Sequence, residues 1–220
     1  MKLIHTSDWH VGRTLYGEDL SAAHRQFFSF LAQLVREEKV QAVMVSGDVF
    51  DRAIPSLESL EIVSQALKEL TELTTVILTP GNHDSAERLG FLSPYISGNL
   101  HLRTCLADIS RPVEIGNQSE TVRVWGLPYL NPDMVRTSLY DGYPATEITA
   151  NQKTEAEEDE IARLPRSHAA VIAAAMRKIA KAQRALTAPA RTIIMAHAFA
   201  LGAAGSESER DIKMCIRDSL

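Results

Sequence analysis

The sequence predicts an α/β fold built in layers. Three observations predict it. Five short runs rich in valine and isoleucine have the length of buried strands, at residues 2–6, 41–46, 75–79, 121–125 and 192–196. Stretches with helical apolar spacing lie between them, and strands alternating with helices favour a layered α/β arrangement. Four of the five runs end in aspartate, histidine or asparagine, and in such sheets the carboxyl ends of the strands are where ligands bind.

Taken in order, the first strand, 2–6, runs into Ser7-Asp8-Trp9-His10. Residues 19–38 form a helix with Phe27, Leu31, Leu34 and Val35 on one stripe, and Asp19 or Ser21 is placed to cap it. The second strand ends in Ser46-Gly47-Asp48-Val49-Phe50-Asp51. Pro55 precedes a second helix, 57–73, with leucines and isoleucines three and four apart. The third strand, 75–79, ends in Pro80-Gly81-Asn82-His83-Asp84. A fourth strand covers 121–125. Residues 130–165 hold three prolines, a Tyr-Asp-Gly-Tyr-Pro cluster and an acidic run at 155–160, which reads as a solvated surface insertion. A last helix, 167–187, presents Ile172, Met176, Ile179 and Leu186 on one face. The fifth strand ends in Met195-Ala196-His197.

Composition sets the bounds. The 220 residues are 45% apolar, with a mean hydropathy of −0.10, enough to bury a substantial core. A net charge of −5 excludes binding of nucleic acid by bulk positive charge, but not a nucleic-acid enzyme whose metal ions supply positive charge locally. No run of 18 apolar residues exists, the chain starts directly in a strand pattern, and two cysteines make no disulfide framework. A cytoplasmic setting is expected.

The strand-end residues carry the chemistry. In Asp8-x-His10, side chains two apart share a face of an extended segment. The glycines before Asp48 and Asn82 allow tight turns that re-aim those side chains. A ligand set of carboxylate, imidazole and amide without thiolate suits Mn²⁺, Fe²⁺ or Zn²⁺. One carboxylate, Asp48, between two ligand sets suits two ions about 3.5–4 Å apart, the arrangement that clamps a phosphoryl displacement. The expected reaction is metal-assisted phosphoester hydrolysis. His5 is read as a core histidine or one supporting the ligands; His24, His101 and His168 as surface residues; Cys105 as a small buried residue and not a nucleophile; Trp9 as packing. Arg13, Tyr16 and Arg52 flank the motifs, as substrate contacts or as plain surface.

Asp8-x-His10, Gly47-Asp48 and Gly81-Asn82-His83-Asp84 at these spacings resemble the calcineurin-like metallophosphoesterases. The wording of residues 5–12, 46–51 and 196–197, followed by Ser206-Glu207-Ser208-Glu209-Arg210-Asp211-Ile212, is similar to the SbcD family of bacterial nuclease subunits, over residues 1 to about 212. The resemblance implies a two-sheet β-sandwich flanked by helices and an Mn²⁺-dependent DNA exonuclease and endonuclease. It implies action on double-stranded ends and hairpins in repair and recombination, as a homodimer within a heterotetramer with an SbcC-like SMC-family ATPase. By position, Asp8 and His10 would hold one ion, Asp48 would bridge, and Asn82 and His197 would hold the other. His83 would act on the scissile phosphate and its leaving oxygen. Ala196 stands where the family commonly has glycine, and a further Gly-His-x-His segment of the family has no counterpart here. The expected organisation is therefore a shortened nuclease domain over 1–212, with the insertion at 130–165. Residues 213–220 are read as a non-native tail. A small-molecule phosphodiesterase or phosphatase on the same fold, and a non-catalytic DNA- or ATPase-binding module, are the alternatives.

Overall fold

A computed structural model describes residues 1–117, 120–142 and 163–198. In chain order the elements are β1 (Leu3–Thr6), a two-strand hairpin of β2 (Thr14–Leu15) and β3 (Glu18–Asp19), α1 (Ser21–Glu38), β4 (Ala42–Ser46), α2 (Leu57–Leu73) and β5 (Thr75–Thr79). Then come α3 (Ala86–Gly90), β6 (Leu100–Leu102), β7 (Val113–Asn117), β8 (Glu120–Leu127), α4 (Pro132–Val135), α5 (His168–Arg184) and β9 (Arg191–Ala196). Short 3₁₀ turns lie at Ser93–Tyr95 and Leu106–Ser110.

Two sheets form. The first has the order β1-β4-β5-β6 and is parallel throughout; the second has the order β7-β8-β9, antiparallel between β7 and β8 and parallel between β8 and β9. Period-two alternation sends the two faces of each strand to different cores. Val43, Val45, Val76 and Leu78 meet Phe28, Leu31, Val35, Ile62, Val63 and Leu70 of α1 and α2. Ala42, Met44 and Ile77 point the other way, against Val113, Ile115, Val122, Val124 and Met195 of the second sheet. Trp125 and Leu127 on its far face pack on Val171, Ala174, Ala175 and Ile179 of α5. The layers are thus helices, sheet, sheet, helix, with the three apolar cores between them.

Most differences from the sequence reading lie in which apolar residue faces inward. In α1, Phe28 is buried and Phe27 is on the surface, where it leans on Phe28 at a ring distance of 5.3 Å. In α5 the buried face is Val171, Ala174, Ala175 and Ile179, while Met176 is exposed and Leu186, also exposed, lies past the helix end; the bulk of Trp125 fills that interface, so small alanines fit opposite it. The strands β6 and β7 and the short hairpin carry too few apolar residues to announce themselves. Segment 130–165 is not wholly a surface excursion. Its described ends form α4 and bury Leu130, Leu139 and Leu164 in the core beneath α5. The acidic run at 155–160, Ser206–Ile212, Cys215 and the tail 213–220 lie outside the described residues.

Cys105 is exposed, a correction to its buried reading; it precedes a 3₁₀ turn, where its thiol and backbone N–H both donate to Asp108. His101 lies in β6 and is half-buried, and burial lowers its pKa. Among the described residues no helix is long and apolar enough to cross a membrane.

Candidate metal centre

The site is assembled where the chain leaves the carboxyl ends of β1, β4, β5 and β9. Three of its side chains stand on left-handed backbone: Asp8 (φ 55°), His10 (φ 45°) and Asp48 (φ 50°). Non-glycine residues avoid this region, and such strain persists only where surrounding structure holds it. Here a ladder holds it. Asp8 N–H donates to Gly47 O, His10 N–H to Asp48 O, and Val11 N–H to Val49 O, at 2.9–3.1 Å. The β1–β4 pairing therefore continues past both strand ends, and Val11 bridges Phe50. From the outside, His24 of α1 donates its Nε2–H to Trp9 O at 2.8 Å. His24 is half-buried, not the surface residue expected, and it fastens the Asp8–His10 segment to α1. Trp9 packs edge-on against Phe28 with ring centres 4.8 Å apart, as expected of a packing residue.

Two glycines make the approach possible. A Cβ on Gly47 (φ 78°) would lie 2.6 Å from the His197 Cβ and 2.8 Å from the Gly81 Cα. A Cβ on Gly81 would collide with the Asp48 carboxylate. The strand-end glycines let the ends of β4, β5 and β9 close on one another.

The sequence-predicted ligands converge. Asp48 is 3% exposed, and its Oδ2 lies 3.5 Å from His10 Nε2 and 3.5 Å from His197 Nε2. Asp8 Oδ1 stands 3.8 Å from His10 Nε2, and Asn82 Oδ1 stands 3.0 Å from His197 Nε2. Among the described residues, two groups have ligand atoms close enough to share an ion: His10, Asp48 and His83, and Asp8, Asp48 and His197. Asp48 belongs to both, as expected, but Asp8 falls with His197 and His83 with His10, where the resemblance implies Asp8 with His10 and no ligand role for His83.

The donor chemistry calls for cations. His197 Nδ1 lies 3.1 Å from the Ser46 carbonyl, which can only accept, so Nδ1 carries the proton and Nε2 presents a lone pair. Across 3.0 Å it meets the Asn82 oxygen and across 3.5 Å the Asp48 carboxylate. Three lone pairs facing one point repel unless a proton or metal ion lies among them. His10 Nε2 stands between the Asp8 and Asp48 carboxylates, 3.8 and 3.5 Å from their oxygens, where a proton or a metal ion would offset the two negative groups. Its Nδ1 lies 3.3 Å from an Asp51 carboxylate oxygen, without hydrogen-bond geometry.

His83 is held from two sides. Its backbone N–H donates to Asp48 Oδ1 at 2.9 Å, and its Nδ1–H to the Asp51 carbonyl at 2.9 Å. Its ring stands edge-on to His10 with centres 4.8 Å apart. Asp84 accepts from Val49, Phe50 and Gly81 N–H groups. Burial, aided by the nearby Asp48 charge, pushes its carboxyl above the usual range against those three donors.

The residues 1–163 match the family model of the calcineurin-like phosphoesterases. The chain belongs to that family. Its members are metallophosphoesterases, hydrolases of phosphoesters that use divalent metals, and the fold and the carboxylate–imidazole cluster described above fit that chemistry. The matched span contains Asp8, His10, Asp48, Asn82 and His83 and ends before His197, which the structure nonetheless brings to Asp48.

Several supporting residues escaped sequence reading. Asp51 sits three residues after Asp48, a spacing that could have singled it out. Tyr129 carries no such signal; its ring stands 6.3 Å from His197 and 5.8 Å from His168, and its N–H donates to Pro80 O. His168 is half-buried there, not a surface residue, and burial lowers its pKa. His5 is exposed on the edge strand and no part of the core; its Nε2 meets Ser46 Oγ at 2.8 Å, one residue before Gly47. Arg13, Tyr16 and Arg52 are exposed beside the motifs.

Proposed function

We propose that this phosphoesterase is a metal-dependent DNA nuclease subunit of the SbcD type. It would hydrolyse phosphodiester bonds at double-stranded ends and hairpins in repair and recombination. The observation that carries the reading is the position of Asp48 Oδ2, equidistant at 3.5 Å from two imidazole nitrogens on different sheets. That position suits a carboxylate shared by two cations, and two cations suit a phosphodiester, which has an attacking and a leaving oxygen to stabilise. The preference for DNA rests on wording beyond the ligands, in residues 5–12, 46–51 and 206–212, which is similar to the SbcD nuclease subunits.

Asp8, His10 and Asp48 would hold one ion; Asp48, Asn82 and His197 would hold the other. Oxygen and imidazole donors without sulfur suit Mn²⁺. Bound there, divalent cations would neutralise the phosphodiester and make water acidic enough to attack at neutral pH. His83 is the residue that moves a proton. Its Nδ1–H is committed to the Asp51 carbonyl, so Nε2 would act on the scissile phosphate in the imidazolium form, giving its second proton to the leaving oxygen or holding it against the developing charge. The protein would work as a homodimer with an SMC-family ATPase of the SbcC kind, in the cytoplasm.

The test is digestion of labelled duplex and hairpin DNA with Mn²⁺, beside turnover of p-nitrophenyl phosphate esters. Cleavage of DNA that stops on chelation is expected. Ester turnover with intact DNA would replace the nuclease with a small-molecule phosphodiesterase, and failure on both substrates would leave a binding module.

A further inference from the structure

Asp84 closes the third strand-end motif but belongs to neither group of ligand atoms. Its contacts join two parts of the centre. Oδ2 accepts from Gly81 N–H at 2.9 Å and from Val49 N–H at 3.1 Å, and Oδ1 accepts from Phe50 N–H at 2.9 Å. Val49 and Phe50 directly follow Asp48, while Gly81 directly precedes Asn82 and His83. One carboxylate therefore fastens the backbone carrying the shared ligand to the backbone carrying the amide ligand and the proton-moving histidine. The Asp48 segment is left-handed and meets Gly81 too closely for any Cβ there, so a small relaxation of either loop would change the gap between ligands. A cap of α3 does not account for Asp84, because Ser85 performs that role through its bond from Arg88 N–H.

We propose that Asp84 is a positioning residue for the cation centre, holding Asp48 and Asn82 at the separation at which two divalent ions share Asp48. This rests on the two-cation reading above, but not on DNA as the substrate. A carboxylate suits the task because its two oxygens can serve three N–H donors at once. An asparagine keeps the shape but has one accepting oxygen, and its NH₂ would face an N–H donor. Alanine removes all three bonds.

The experiment compares the full chain with Asp84→Asn and Asp84→Ala. Folding is followed by circular dichroism, and Mn²⁺ uptake by titration calorimetry and electron paramagnetic resonance. Wild type should show the spectrum of a spin-coupled Mn²⁺ pair. Asp84→Ala should bind Mn²⁺ about 10–100-fold more weakly, the usual effect of losing a group that orients ligands, and its spectrum should be that of uncoupled ions. Asp84→Asn should fall between, and it decides the matter if the alanine variant does not fold. A folded Asp84→Asn or Asp84→Ala with wild-type affinity and a coupled pair would overturn the proposal. Wild type without a coupled pair would overturn it together with the two-cation reading. Wild type with a coupled pair that leaves DNA intact would count against the nuclease alone, and the Asp84 comparison would still decide its own question.

Discussion

The two ends of the parallel sheet use the same backbone conformation for different purposes. At the end where the strands begin, Lys39 adopts a left-handed conformation (φ 51°) as α1 stops, and its N–H returns to Val35 O. This is how helices commonly terminate, and the neighbouring bonds are ordinary connections, such as Thr74 Oγ1 to Val40 O and Gln41 N–H to Lys2 O. At the end where the strands finish, Asp8, His10 and Asp48 are equally left-handed, yet they terminate no helix. Their backbone is held by bonds between loops, and their side chains face one another, with His10 Nε2 3.8 Å from Asp8 and 3.5 Å from Asp48. Left-handed backbone alone therefore marks nothing. Left-handed backbone that gathers carboxylates and imidazoles at one point marks a candidate site.

Changes at the two ends should behave oppositely, and the largest effect is expected at Asp48, the ligand proposed to be shared. Asp48→Asn should lower metal-dependent phosphodiester hydrolysis by about 10³-fold or more, given what the cations contribute to charge stabilisation; steady-state assays in Mn²⁺ measure it, and near-normal turnover would break the contrast. His83→Ala should cost about 10²-fold or more in turnover, within the usual range for a proton-transferring histidine, while calorimetry shows Mn²⁺ still bound. Loss of the metal would instead make His83 a ligand, as its proximity to His10 and Asp48 permits. Gly47→Ala should destabilise the fold by about 1–3 kcal/mol, the usual range for a strained backbone position, and push His197 away, so denaturant melts and Mn²⁺ affinity should both move. At the other end, Lys39→Gly should stabilise by up to about 1 kcal/mol, since glycine meets no penalty in that conformation, with turnover unchanged. A fall in activity from Lys39→Gly would show that the two ends are not independent.

Sequence pattern reached some of these features and not others, for physical reasons. Strands β4, β5 and β9 are legible because they are continuous apolar runs, and Asp8, His10, Asp48, Asn82, His83 and His197 because they stand where such runs end. The helix α2 is legible to the residue from Pro55 and the leucines and isoleucines three and four apart, and the structure adds a Ser56 cap at its start. The inward face of α1 is not, because Phe27 and Phe28 are both large and apolar, and which one turns inward depends on the core it meets, Trp9 included. Periodicity likewise cannot show that Ala174 and Ala175 face the core, when the reason is the size of Trp125 across the interface. Asp84 and His24 are invisible as supporting residues because their partners are backbone groups from distant segments, and no side-chain pattern encodes a bond to a carbonyl or an amide.

The central claim is that Asp48 is shared by two cations, one on the His10 side and one on the His197 side. Anomalous diffraction from crystals grown with Mn²⁺ tests it most directly. Two peaks are predicted, about 3.5–4 Å apart, with Asp48 between them, Asp8 and His10 beside one, and Asn82 and His197 beside the other. A single peak, or two peaks that do not share Asp48, would contradict it.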